Sequence, residues 1–369
     1  MTARERIRSV YQGRTPDQVP LMLDLSHWYK KNQQVFFDLT GFTQVEEGLV
    51  ALHRRCGAAL YCETGNHFEV YYEDETVQSQ AWTDAQGVFH TVIRTPLGTI
   101  AEERVFSPAS YSYHIKKWLV QDRSDLQVLQ YALQRRKVRP RFDRYHAWAE
   151  AAGELGFIYT FLSYSGLGFL VSRYMGVEKT ILMIYDYPDE VEQFVRTVND
   201  TNLRMLDEII DGPYEVLIVG DNHDANVQSP ALFKRFTFDY YQELVRRLHG
   251  RGKYLAVHVD GEMRGLLRLL DQCGVDCIDA ATPAPMFSLS PEQARQEAGE
   301  RLILSGGIPA TIFSRLATEE QFVQVVKRWL DIRKNSSRLI LAAGDQVPID
   351  APWRRIEMLA ELAAHYGRY

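Results

Sequence analysis

The sequence predicts an α/β fold, a (β/α)8 TIM barrel formed by a single domain over residues 1–369. Three observations carry this. Eight short β-rich runs stand out along the chain. Most are continuously apolar rather than alternating, as strands buried on both faces of a parallel sheet must be. Helical patterns lie between most of them, and a strand followed by a helix, eight times over, is the barrel repeat. A doubly wound open sheet shares the alternation, but the count of eight favours the closed ring.

The first run is VPLMLDL (19–25) and the second AALYCET (58–64). The third, GFIYTFLS (156–163), follows only after residues 65–155, an interval far longer than one crossover needs. That interval is expected to be an insertion between the second and third strands, forming a lid or wall of the site. Within it, VFHTVIRTPLGTIAEERVF (88–106) reads as a β-hairpin turning at Pro96-Leu97-Gly98, and SDLQVLQYALQRRK (124–137) as a helix. The fourth run, EVLIVGD (215–221), leads to SPALFKRFTFDYYQELVRRLHGRG (229–252), a helix opened by Ser229 as N-cap and Pro230 at its first position. The fifth, KYLAVHVD (253–260), precedes the helix GEMRGLLRLLDQCG (261–274), stopped by Gly274. VDCIDA (275–280) is followed by SPEQARQEAGE (290–300), RLILSGG (301–307) by ATEEQFVQVVKRWLDIRKN (317–335), and RLILAAGD (338–345) by PWRRIEMLAELAAHYG (352–367).

Composition narrows the function classes. Lys and Arg number 42 against 48 Asp and Glu, a net charge of −6, so binding a phosphate backbone is not the main role. The chain is 46% hydrophobic and 24% charged, too apolar for disorder. The four cysteines, Cys56, Cys62, Cys273 and Cys277, form no disulfide framework and no zinc motif, and read as packing thiols. The start, MTARERIRSVYQGRTPDQ, carries no apolar leader, and no run approaches the ~18–20 apolar residues of a membrane span. A cytoplasmic protein with no membrane or nucleic-acid partner is expected. Lys30-Lys31 and Arg135-Arg136-Lys137 read as solvated faces. Nucleophile elbows, phosphate loops and dinucleotide fingerprints are absent from the sequence.

In such barrels chemistry collects at the carboxyl ends of the strands. Taken in order, those ends carry Asp24, Ser26, His27 and Trp28; Glu63, Asn66 and His67; Ser163 and Tyr164; Asp221, His223 and Asp224; His258 and Asp260; Asp279; Ser305, Gly306 and Gly307; and Asp345. A set rich in imidazole and carboxylate suits a borderline or hard divalent ion. His258 and Asp260, two apart on one strand, share a side and can both face the barrel mouth. Ser305-Gly306-Gly307-Ile308-Pro309 reads either as an anion-cradling turn or as a tight βα turn. Asp221-Asn222-His223-Asp224-Ala225-Asn226 lacks the glycine that would complete a cobalamin-domain signature.

The ordered strings ERIRSVYQGRTPDQVPLML, SGLGFLVSRYMGVEKTILMIYDYPDEVEQFV, GDNHDANVQSPALFKRFTFDYYQEL, AVHVDGEMRGLLRLLDQCGVDCIDAATPAP, LSGGIPA and LAAGDQVPIDAPWRRIEML resemble the uroporphyrinogen decarboxylase (URO-D) superfamily over nearly the whole chain. The resemblance implies a (β/α)8 barrel. True uroporphyrinogen decarboxylases carry arginines after strand one, where this chain reads Leu-Asp-Leu-Ser-His-Trp-Tyr-Lys-Lys, so the likeness is nearer the cobamide-dependent methyltransferase branch. In that branch zinc is held by His-x-Cys after strand five and Cys after strand eight. The matching positions here are His258, Asp260 and Asp345. Two thiolates have become carboxylates, a harder set suited to oxygen donors.

The resemblance implies a metal-assisted methyltransferase or demethylase of a small, O-methylated substrate. The metal would be zinc, or iron or manganese, on His258, Asp260 and Asp345, and the methyl group would pass to a cobamide on a separate corrinoid protein. Glu63, Asp221, His223 and Asp279 are expected to serve as acid, base or further ligand, and His27, Trp28 and Tyr164 to shape the substrate pocket. A carboxy-lyase of a small acid and a non-catalytic ligand-binding barrel are the alternatives. A homodimer is a further implication of the family.

Overall fold

The computed structural model describes residues 1–38, 41–62 and 67–369. In chain order the strands are β1 (Met22–Leu23), β2 (Ala59–Cys62), β3 (Phe68–Tyr72), β4 (Gln78–Thr83), β5 (Val88–Thr95), β6 (Gly98–Ser107), β7 (Ser112–Lys117), β8 (Arg136–Pro140), β9 (Gly156–Phe161), β10 (Val216–Val219), β11 (Tyr254–His258), β12 (Cys277–Ala281), β13 (Ile303–Ile308) and β14 (Leu339–Ala343). The eight expected runs supply β1, β2 and β9 to β14, and these pair in parallel in that order. A parallel bridge between Leu21 and Leu341, with the Leu341 amide donating to the Pro20 carbonyl at 2.9 Å, joins the last strand to the first and closes the ring. The fold is a (β/α)8 barrel.

Alternation along the strands divides their side chains between two cores. One parity points inward: Met22, Tyr61, Phe157, Tyr159, Ile218, Ala256, Cys277, Ile303 and Ile340 share a cluster inside the ring. The other parity, including Leu60, Leu217, Val257, Leu304 and Leu341, packs outward against the helices. The amino-terminal helix Ala3–Tyr11 opens with a Thr2–Glu5 capping box and sends Tyr11 into the inner cluster, where its hydroxyl meets that of Tyr159 at 3.0 Å. That end of the barrel is plugged, and the carboxyl ends of the strands form the open mouth. Cys56, Cys273 and Cys277 are buried and unlinked, as packing thiols.

Two expected helices are shorter than their patterns. The 229–252 pattern divides into Pro230–Phe236 and Phe238–His249 around Thr237. The 261–274 pattern begins only at Leu267, because Gly265 takes a left-handed φ of 82°. The turn after β13 needs its glycines for conformation. Gly307 has φ 106°, and a Cβ there would stand 2.2 Å from the Trp329 ring. That favours the tight-turn reading.

Residues between β2 and β9 build two antiparallel sheets, β3 with β8 and β4 through β7. β5 and β6 pair antiparallel and turn over Pro96 and Leu97. The helix here is Arg123–Gln134, and Arg136 and Lys137, expected to extend it, belong to β8. Ile93, Ile100, Leu126 and Leu129 form a separate core with Leu170 and Phe194 from beyond β9. Among the described residues no helix is long and apolar enough to cross a membrane.

Candidate active site at the barrel mouth

A cavity of about 230 Å³ opens at the carboxyl ends of the strands. Its lining follows from the inward parity. Continuing Met22 by two residues gives Asp24, Tyr159 gives Phe161, Ile218 gives Gly220 and Asn222, Ala256 gives His258 and Asp260, Cys277 gives Asp279, and Ile303 gives Ser305, all of which line it. Tyr164, Asp345 and Gln346 complete the wall from loops. No Lys or Arg is among the lining residues.

His258 is held by its neighbour on β12. Its Nδ1 lies 2.8 Å from Asp279 Oδ2, which also accepts a hydrogen bond from the Tyr61 hydroxyl at 3.1 Å. A carboxylate can only accept, so Nδ1 carries the proton and Nε2 is the basic nitrogen. Nε2 stands 3.8 Å from Asp345 Oδ1. Asp260 is wetted by the cavity yet recessed in it, so protein makes up much of its surroundings. Burial pushes its carboxyl above the usual aspartate range, and the nearby Asp345 charge pushes the same way. Asp24 is raised for the same two causes, with the Ser26 amide and hydroxyl pulling against them. Several carboxyls thus crowd one small space, and the Lys30 charge, from outside the lining, acts on Asp24.

His258, Asp260, Asp345, Asp279 and Tyr164 therefore share one cavity. Asp221 and His223 do not reach it. They have the opposite parity to Gly220 and Asn222, and both are wholly buried in the wall. Tyr241 donates to Asp221 Oδ2 at 2.7 Å and meets His223 Nε2 at 2.9 Å, while Asp221 Oδ1 accepts from the Ser165 amide at 2.5 Å. Burial holds the His223 imidazole below the usual histidine range. These two residues fix the loops after β9 and β10 rather than facing substrate. Trp28 is likewise structural: its Nε1 donates to the Ala351 carbonyl at 2.9 Å and its ring packs on Trp353. His27 stands one step back, 2.8 Å from Gln346 Oε1. Glu63 and Asn66 lie outside the described residues. Tyr61 escaped the sequence reading because a tyrosine inside an apolar run reads as core.

The donors of His258, Asp260 and Asp345 match a hard or borderline divalent ion in kind. The carboxylate behind Nδ1 is the usual way a protein orients a metal-binding imidazole. Among the described residues, no three His, Cys, Asp or Glu side chains already stand close enough to enclose an ion.

Comparison with known proteins adds the family. Among solved structures the chain is similar to a methyltransferase from Methanosarcina mazei, with a TM-score of 0.65 at 12% identity over 99% of each chain. That is a likeness of fold. Weaker resemblances are to Dispersin B, with a TM-score of 0.39 at 14% identity over 95% of this chain and 99% of that one, and to the octameric Rubisco of Pyrococcus horikoshii OT3, with 0.37 at 10% identity over 98% and 61%. No curated protein matches the sequence. The sequence model of uroporphyrinogen decarboxylase (URO-D) matches residues 168–366, more than half of the chain and five of the eight barrel strands in full. The chain belongs to the uroporphyrinogen decarboxylase (URO-D) family.

Proposed function

We propose that this barrel is a methyl-transfer enzyme acting on a small, neutral, O-methylated substrate, with a divalent metal at the mouth and a cobamide on a separate corrinoid protein as methyl acceptor. The observation that carries the reading is the acidity of the cavity, where Lys30 acts on Asp24 but from outside the lining. Asp345 Oδ1 stands 3.8 Å from His258 Nε2, Asp24 and Asp260 line the same cavity, and among the described residues no lysine or arginine lines it. Grouped carboxylates repel one another unless a cation or protons intervene. The same acidity disfavours a small carboxylic acid, which a carboxy-lyase would have to bind without a cationic partner.

His258, Asp260 and Asp345 would hold the metal, which when bound supplies Lewis acidity toward the substrate oxygen. Asp279, itself held by Tyr61, keeps the His258 ring in the tautomer and orientation that directs Nε2 at the site. Phe161 and Tyr164 give the cavity a partly apolar wall against which a methylated group can pack. Asp24, directly after β1, borders the space in which a departing oxygen would need a proton.

Elemental analysis of protein purified without chelator tests the metal directly. About one divalent ion per chain is expected, lost in His258→Ala and Asp345→Asn. Metal-free protein that takes up none of zinc, iron or manganese would defeat this part of the reading. Methyl transfer is then read from the cobamide spectrum with O-methylated substrates, and release of CO₂ from small acids would favour the lyase instead.

A further inference from the structure

The segment between β2 and β9 encloses a second cavity, of about 800 Å³, that the barrel-mouth reading does not use. Its chemistry is the reverse of the first. Arg104 from β6, Arg136 from β8 and Arg173 from beyond β9 all line it, against one carboxylate, Glu102. Glu102 is paired with Arg104 at 2.7 Å. Neither Arg136 nor Arg173 has a carboxylate within ion-pair distance among the described residues. The Nε atoms of Arg104 and Arg136 are buried with no hydrogen-bond partner there. The rest of the Arg136 guanidinium is met by the Tyr72 and Tyr174 hydroxyls and Arg173 by the Tyr164 ring, so neutral groups rather than carboxylates face these two charges. A recessed cation without a counter-ion is costly.

The rest of the lining is mixed: Gln78, Ser79, Gln80 and Thr91 are polar, and rings and aliphatic side chains supply an apolar part. Phe169 and Tyr174 stack with ring centroids 4.6 Å apart and planes 4° from parallel, and Leu119 and Leu129 face the same space. Arg173 and Tyr174 come from a π-helical turn, Leu170–Tyr174, an irregularity that often marks functional positions. The two cavities share a wall. Phe169 packs on Tyr164, which lines the barrel mouth, with centroids 5.3 Å apart, and Arg173 lies 6.0 Å over the Tyr164 ring.

We propose that this second cavity binds an organic anion, a flat apolar body carrying a carboxylate or phosphate. The Arg136 and Arg173 guanidinium groups would receive the charged end, because planar paired donors match both oxyanions. The rings and leucines would receive the body. This inference does not depend on the chemistry assigned to the barrel mouth.

Calorimetric titration of the full chain with benzoate, phenyl phosphate and benzyl alcohol tests it. One site is expected for an anion, with benzyl alcohol at least about tenfold weaker, the worth of one charge-assisted contact. The tighter anion distinguishes a carboxylate ligand from a phosphate. Arg173→Gln should weaken anion binding about tenfold and Arg173→Lys less, since a point charge remains. Ser79→Glu, an exposed residue of the lining strand β4, adds a repelling charge without touching the core and should weaken binding even if the arginine variant folds poorly. Asp345→Asn should leave anion binding unchanged. Equal affinity for benzyl alcohol, indifference to both Arg173→Gln and Ser79→Glu, loss in Asp345→Asn, or no binding of either anion at millimolar concentration would each overturn the proposal.

Discussion

Asp279 touches both members of the polar relay at the mouth, the His258 Nδ1 and the Tyr61 hydroxyl. Replacing it with asparagine preserves shape but offers the ring an amide that can present either a donor or an acceptor. His258 can then adopt the other tautomer, with the proton on Nε2. Orienting carboxylates of this kind are worth about 10–100-fold in metal affinity. Asp279→Asn is therefore expected to fold normally and to weaken metal uptake by about that factor, read by competition with a chromophoric chelator. Unchanged affinity would show that the ring is oriented by packing alone. The residue scale also marks where sequence reasoning stops. From sequence, Asp221 and His223 at the end of one apolar strand are expected at the mouth as acid, base or further ligand, beside the metal-ligand pair His258 and Asp260. Only register separates them. Gly220 and Asn222 continue the inward parity of Ile218, which leaves Asp221 and His223 facing the wall. A strand end read from sequence is uncertain by a residue, and one residue reverses every side chain.

At the scale of elements, the strands were legible because a parallel barrel buries both their faces, so the runs are almost purely apolar. The insertion was harder to read. Its β4 is exposed along its whole length and carries little apolar signal. The Arg135-Arg136-Lys137 run resembled a solvated face, yet Arg135 pairs with Asp74 at 2.7 Å and Arg136 turns into the second cavity. The β13 turn gives a clean test of what an element end requires. Gly307→Ala would drive a methyl group into Trp329, which is fully buried, and would also strain φ. Gly87 is left-handed too, at φ 79°, but has nothing within 4 Å. Gly307→Ala should cost more than about 2 kcal/mol in urea unfolding and Gly87→Ala about 1 kcal/mol. Equal costs would mean that backbone conformation, not collision, governs both sites.

For the whole molecule, acid should be more damaging than the modest net charge suggests. His53 and His67 are fully buried, and burial lowers each from 6.5 to about 4. The folded state therefore binds these protons more weakly than the unfolded chain. Their contribution is intact above about pH 6.5 and is lost as pH falls toward about 4, reaching roughly 3 kcal/mol for each histidine. The thermal midpoint should decline across that window, and His53→Gln should flatten the decline. A slope unchanged in that variant would assign the acid sensitivity elsewhere.

The seam of the ring has a consequence for biosynthesis. β1 and β14 lie at opposite ends of the sequence, and the links between them include the Leu341 amide on Pro20 and the Val347 amide on Asp24, at 2.9 and 3.0 Å. The mouth straddles this seam, with Asp24 on one side and Asp345 on the other. A nascent chain emerging from the ribosome can therefore lay down the strands in order while Asp345, the last carboxylate of the pocket, waits for the final segment. The mouth is completed in a single late event, so a chain interrupted before β14 carries His258 and Asp260 without Asp345 across the seam.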